Sequence, residues 1–125
     1  MQLRDTIYTI LIEIAQSDSD SSNALITYGQ LASQVGMPLE HEGDVKKMAD
    51  LLGDISRTEF RQDRPLLSVI VVQGEWAGNP QQPGDGFFRL ARELGVYKGK
   101  TEIDNISFFA QELRKVQNYW QQQKS

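Results

Sequence analysis

The sequence predicts a mostly α-helical domain with a small β-hairpin, arranged as a winged helix-turn-helix. Three observations lead there. Apolar residues recur at spacings of three and four in several segments, the period of a helix with one buried face. A single β-branched run, Leu66 to Gln73, reads as a strand. A Gly- and Pro-rich stretch follows it directly, as a wing would. The length of 125 residues fits one domain. Residues 1–100 would form its core and residues 101–125 a C-terminal helix.

Residues 2–16 read as an amphipathic helix with Leu3, Ile7, Ile10, Leu11 and Ile14 on one face. The polar run Ser17 to Asn23 reads as a solvated loop. As a calcium loop counted from Asp18 it fails, because Asn23 and Gly29 stand where Gly and Glu are needed. Thr27-Tyr28-Gly29-Gln30 is a capping box that starts a short helix. Tyr28, Leu31, Ala32 and Val35 form its inward stripe. Gly36 suits a left-handed C′ position, and Pro38 stops the chain from continuing as helix.

A third helix is predicted over 42–62, with Val45, Met48, Leu52, Ile55 and Phe60 facing the core. Arg57, Arg61 and Arg64 would form a basic ridge if the helix persists. Pro65 ends it. Leu66 to Gln73 then reads as a strand buried on both faces. Its partner would be Ala24-Leu25-Ile26, or residues around Glu75–Asn79 folding back. Residues 74–86 form a long turn or wing. A phosphate loop is ruled out there, since no Gly-Lys-Ser/Thr follows. Residues 86–95 read as a short helix ended by Gly95, with Asp85 as a candidate cap. The last helix covers 104–122. Ile106, Phe109, Leu113, Val116 and Trp120 form its apolar seam.

Composition narrows the chemistry. Hydrophobic residues are 39% and charged residues 24%, which places the chain among globular rather than disordered sequences. No apolar run approaches the roughly 20 residues of a membrane span, and no signal-peptide pattern is seen. The expectation is a soluble cytoplasmic protein with no membrane partner. There is no cysteine, so disulfides, thiolate metal sites and cysteine nucleophiles are excluded. The single histidine, His41, lies between Glu40 and Glu42 and lacks a second His or Cys, so no metal site and no cofactor are expected. A net charge of −4 weighs against nonspecific nucleic-acid binding.

Several short motifs carry a resemblance. Ile26-Thr27-Tyr28-Gly29-Gln30-Leu31-Ala32 with Val35-Gly36-Met37-Pro38 resembles the T-Y-G-x-[IL]-A…G-x-P segment of the alkylguanine DNA alkyltransferases and their alkyltransferase-like relatives. Ala49-Asp50-Leu51-Leu52-Gly53, the run Ser68 to Val72, and Leu90-Ala91-Arg92-Glu93-Leu94-Gly95-Val96 follow in the family's order, over about residues 5–96. The resemblance implies a winged-helix DNA-binding domain. The family's P-C-H-R centre has no counterpart, and Leu67-Ser68-Val69-Ile70 stands in its place. The arginine that helps extrude a base falls at Asp50. Alkyl transfer is therefore excluded, and the resemblance does not carry base flipping over to this chain. The stretch from Pro65 to Val69 and from Gly84 to Phe88 is also similar to a group of small bacterial proteins, which implies no activity.

The functional expectation is a non-catalytic module. Its first form binds nucleic acid. Lys46 and Lys47 would enter a groove, Arg57, Arg61 and Arg64 would meet phosphates, and Trp76 and Asn79 on the wing would touch DNA. Acidic residues interleaved with those cations favour a solvated, ion-paired face instead. Trp76 would otherwise be a lid packed on the strand. The second form is a protein-interaction or adaptor subunit of a bacterial assembly, with a protein partner or a second copy seated on Phe109, Leu113, Val116 and Trp120. The same stripe would equally cover the domain's own core. An enzyme would have to work with Glu75, Asp85, Glu93 and Ser68, and no base is placed to activate Ser68.

Overall fold

In a computed structural model of the chain, described for residues 2–17, 24–73 and 83–123, the helices and strands follow directly from local signals. The first helix, α1, spans Leu3–Ala15 and buries Ile7, Leu11 and Ala15. Strand β1 is Ile26–Thr27, and α2, Tyr28–Val35, begins at once. The capping box forms in both directions. The Gln30 amide donates to Thr27 Oγ1 at 3.1 Å, and the Thr27 amide to Gln30 Oε1 at 3.0 Å. Gly36 closes α2 at φ +69°, where a Cβ would be strained. Replacing Thr27 by alanine removes one arm of that box. The expected loss is about 1 kcal/mol, read from chemical denaturation.

The third helix, α3, spans Glu42–Arg61. Its core face is Met48, Leu52, Ile55 and Glu59 rather than the predicted set. Val45 is 53% exposed and Phe60 38% exposed. Phe60 follows Glu59, so it sits about 100° round the helix from the buried stripe.

The predicted strand from Leu66 to Gln73 is mostly something else. Leu67–Ile70 winds as a 3₁₀ turn, and only Val71–Val72 forms strand β2. Residues 66 to 72 are all buried, in contact with α1, α3 and α5. Their amides find side chains instead of a sheet. The Leu66 amide donates to Glu112 Oε2 at 2.8 Å, and the Ser68 amide to Ser56 Oγ at 3.1 Å. Those acceptors satisfy buried donors that an isolated strand would leave orphaned.

Among the described residues the sheet is not a hairpin. β1 and β2 pair in parallel, Ile26 with Val71 and Thr27 with Val72. A hairpin needs adjacent antiparallel strands, whereas these two are separated by α2 and α3. Of the two candidate partners for the run, the segment before the capping box is the one paired with it. A partner around Glu75–Asn79 lies outside the described residues, as does the polar run over 18–23.

Helix α4, Asp85–Glu93, is capped by Gly84, so Asp85 is its first residue and not its cap. Gly95, at φ +79°, ends it as expected. Helix α5 spans Glu102–Gln122, starting earlier than predicted because Thr101 and Asp104 make their own capping box. The amides of Lys100 and Thr101 donate to Asp104 at 2.9 and 3.1 Å and hold its carboxyl below the usual value. The fold is thus mostly helical, five helices with a two-stranded parallel sheet among the described residues. None of these helices is long and apolar enough to cross a membrane.

Candidate functional site

Helix α3 carries most of the predicted nucleic-acid contacts, and their electrostatics are already largely met within the chain. Lys46 pairs with Asp50 at 3.5 Å, one turn along the same face. Arg57 reaches across to Glu93 on α4 at 2.8 Å. Arg64 is not on the helix, so the expected basic ridge does not form. The chain turns after Arg61, with Asp63 at φ +58°, and brings Arg64 back over Glu59. Lys47 and Arg61 are exposed and make no ion pair among the described residues. Around the start of α3, Glu40, Glu42 and Asp44 add negative charge. Trp76 and Asn79 lie outside the described residues.

Arg64 belongs to a buried network. Its Nε donates to Glu59 Oε2 at 2.8 Å and its second nitrogen to Oε1 at 3.0 Å, a two-pronged pair. Tyr8 on α1 donates to Glu59 Oε1 at 2.9 Å. The Arg64 guanidinium lies 6.0 Å from the Trp120 ring centroid. The Glu59 carboxylate is fully enclosed, and three elements converge on it. Burial first, and the bond to Glu59 second, push the Tyr8 phenol from 10.0 up to about 12. A raised folded value means that the unfolded chain loses this proton first. The contribution is therefore whole below pH 10 and fades as the pH rises toward 12. A Tyr8→Phe variant is expected to lose stability less steeply than the parent across that window, measured by denaturation at stepped pH.

The seam on α5 faces largely inward. Val116 has no exposed surface, Trp120 is buried, and Phe109 and Leu113 pack against the core. Ile106, expected on that seam, is instead 45% exposed, and Ile103 one turn earlier is 78% exposed. Phe108, unremarked in the sequence, stacks on Tyr97 with centroids 4.5 Å apart.

Two concave surfaces stand out. The first is a shallow groove of about 500 Å³, flanked by Phe60 and Val96 and rimmed by Asp63 and Lys115. The second is a cleft of about 240 Å³ between α3 and α4. Tyr28 and Ser68 lie in it, Leu52, Phe87 and Leu90 supply apolar wall, and Asp50, Arg57, Arg89 and Glu93 stand around it. Ser68 Oγ is 2.6 Å from Ser56 Oγ, and both residues are buried. The Tyr28 oxygen accepts from the Gly84 amide, and burial raises its pKa above the usual value of 10.0.

Sequence reasoning missed Ser56, Glu59 and Glu112, the polar residues that organise the interior. Two of them had a visible signal. Glu59 continues the stripe of Met48, Leu52 and Ile55, and Glu112 lies one turn before Val116 on the same face. A carboxylate on an apolar stripe needs a buried partner. Among the described residues, no group of three or more His, Cys, Asp or Glu is placed to hold a metal ion. No family model, no curated protein and no solved structure matches the chain.

Proposed function

We propose that the chain is a non-catalytic protein-interaction module whose groove between Phe60 and Val96 receives a second copy of the chain. One observation carries this reading. Two large apolar side chains, 38% and 42% exposed, flank the same groove, and its rim bears both signs of charge, Asp63 and Lys115. Single exposed apolar residues are ordinary, but clustered ones mark contact surfaces. A twofold contact places the same patch on both partners, so a rim with both signs is complementary to itself. Light scattering after size exclusion tests it. A dimer at high concentration that Phe60→Asp and Val96→Asp each convert to monomer is the expected result. A monomer at every concentration overturns the reading, provided circular dichroism finds the parent chain folded.

A second reading rests on Lys47 and Arg61, the exposed cations of α3 without an ion pair among the described residues. The order of capped α2, turn and long α3 is that of a helix-turn-helix, and a winged-helix module would present α3 to nucleic acid. The three paired cations and the acidic start of α3 weaken this reading. Fluorescence anisotropy with duplex DNA across a salt series decides it. Binding that weakens steeply with salt and is reduced in Lys47→Ala and Arg61→Ala supports it, and no binding at low salt removes it.

A further inference from the structure

The geometry points to the cleft between α3 and α4 as a binding site for a small neutral molecule bearing a carbonyl oxygen, such as a carboxamide. This is independent of the Phe60–Val96 groove.

The argument begins with hydroxyl protons. Ser56 Oγ accepts the Ser68 amide at 3.1 Å and lies 2.6 Å from Ser68 Oγ. The two hydroxyls hold two protons, and one contact uses only one of them. Neither hydroxyl has another partner among the described residues. Ser56 is sealed at 0% exposure, whereas Ser68, 6% exposed, lines the cleft. A buried O–H left without an acceptor is costly, so Ser56 donates to Ser68 and the Ser68 proton turns into the cleft. Tyr28 repeats the pattern. Its oxygen already accepts from the Gly84 amide, and its own O–H has no acceptor among the described residues. Two unused donors thus border one cavity.

Charge and shape define what they would bind. Asp50 and Glu93 balance Arg57 and Arg89, so the surroundings carry no net charge and favour a neutral ligand. The Arg57–Glu93 pair, at 2.8 Å, holds part of the wall in place. Leu52, Phe87 and Leu90 offer apolar surface to the body of the ligand. At about 240 Å³ the cleft is smaller than the roughly 300 Å³ at which drug-sized sites begin, which suits a compact ligand.

The test is a titration of the full chain with benzamide, followed by amide chemical shifts. Saturable shifts are expected at residues 50–57, 68 and 86–93. Ser68→Ala and Tyr28→Phe should each weaken binding by about fivefold, the value of one neutral hydrogen bond. Benzoate, the anionic counterpart, should bind no more tightly than benzamide. Absence of saturable shifts, unchanged affinity in both variants, or tighter binding of benzoate overturns the proposal. Tyr28→Phe keeps the test intact if Ser68→Ala fails to fold.

Discussion

Replacing Arg64 by alanine is expected to cost the fold about 3–5 kcal/mol, the largest effect of any surface-reaching residue here. The Glu59 carboxylate has no exposed surface, and Arg64 supplies both of its charge-assisted bonds. Tyr8 alone would then face a buried charge that one neutral hydrogen bond cannot compensate. Arg64 also covers Trp120, so its aliphatic stem contributes packing. Urea denaturation measures the loss. Arg61→Ala, an exposed neighbour, serves as control and should stay within about 0.5 kcal/mol of the parent. Replacing Glu59 and Arg64 together by methionine should recover most of the loss, because no charge is then left buried. If Arg64→Ala and Arg61→Ala behave alike, the network does not stabilise the fold.

Ile70→Ala is expected to cost about 3 kcal/mol and to lower the melting temperature by about 10 °C. Ile70 has no exposed surface and closes the 3₁₀ turn that α1, α3 and α5 all touch. Walls from three helices cannot all relax into the space, so most of the cavity persists. A thermal melt followed by circular dichroism measures it. A shift of only a degree or two would mean that the turn repacks freely.

These two residues mark where sequence periodicity stops being informative. The helical period of Ile7, Leu11 and Ala15, and of Met48, Leu52 and Ile55, was legible because a helix repeats its own geometry every few residues. The capping box at Thr27 was legible because both bonds close within four residues. The segment 66–72 was misread as one long strand. Its apolarity reports burial, which a 3₁₀ turn packed among helices satisfies as well as a sheet does. What decided between them was the Ser56 hydroxyl and the Glu112 carboxylate, 12 and 46 residues away along the chain.

The candidate site was less legible than the fold. Lys46, Arg57 and Arg64 looked like a basic surface because sequence lists charges without their partners. Asp50 is a helical neighbour and could be anticipated, but Glu93 lies 36 residues from Arg57, and Glu59 meets Arg64 only because the chain reverses after the helix. The cleft has the same origin. Tyr28, Ser56 and Ser68 come from separate elements, and their unused protons appear only once every bond is counted.

By itself, then, the sequence determined where the helices lie, how α2 is capped and ended, and which chemistries a chain without cysteine and with one histidine forgoes. These are properties of near neighbours or of residue types. Only the tertiary structure decided that β1 and β2 run in parallel, that Glu59 and Glu112 are interior groups, and that the arginines of α3 and its exit answer to this chain's own carboxylates. The physical reason is burial. Once water is excluded, each polar group must find a partner in space, and distance along the chain no longer limits which partner it finds.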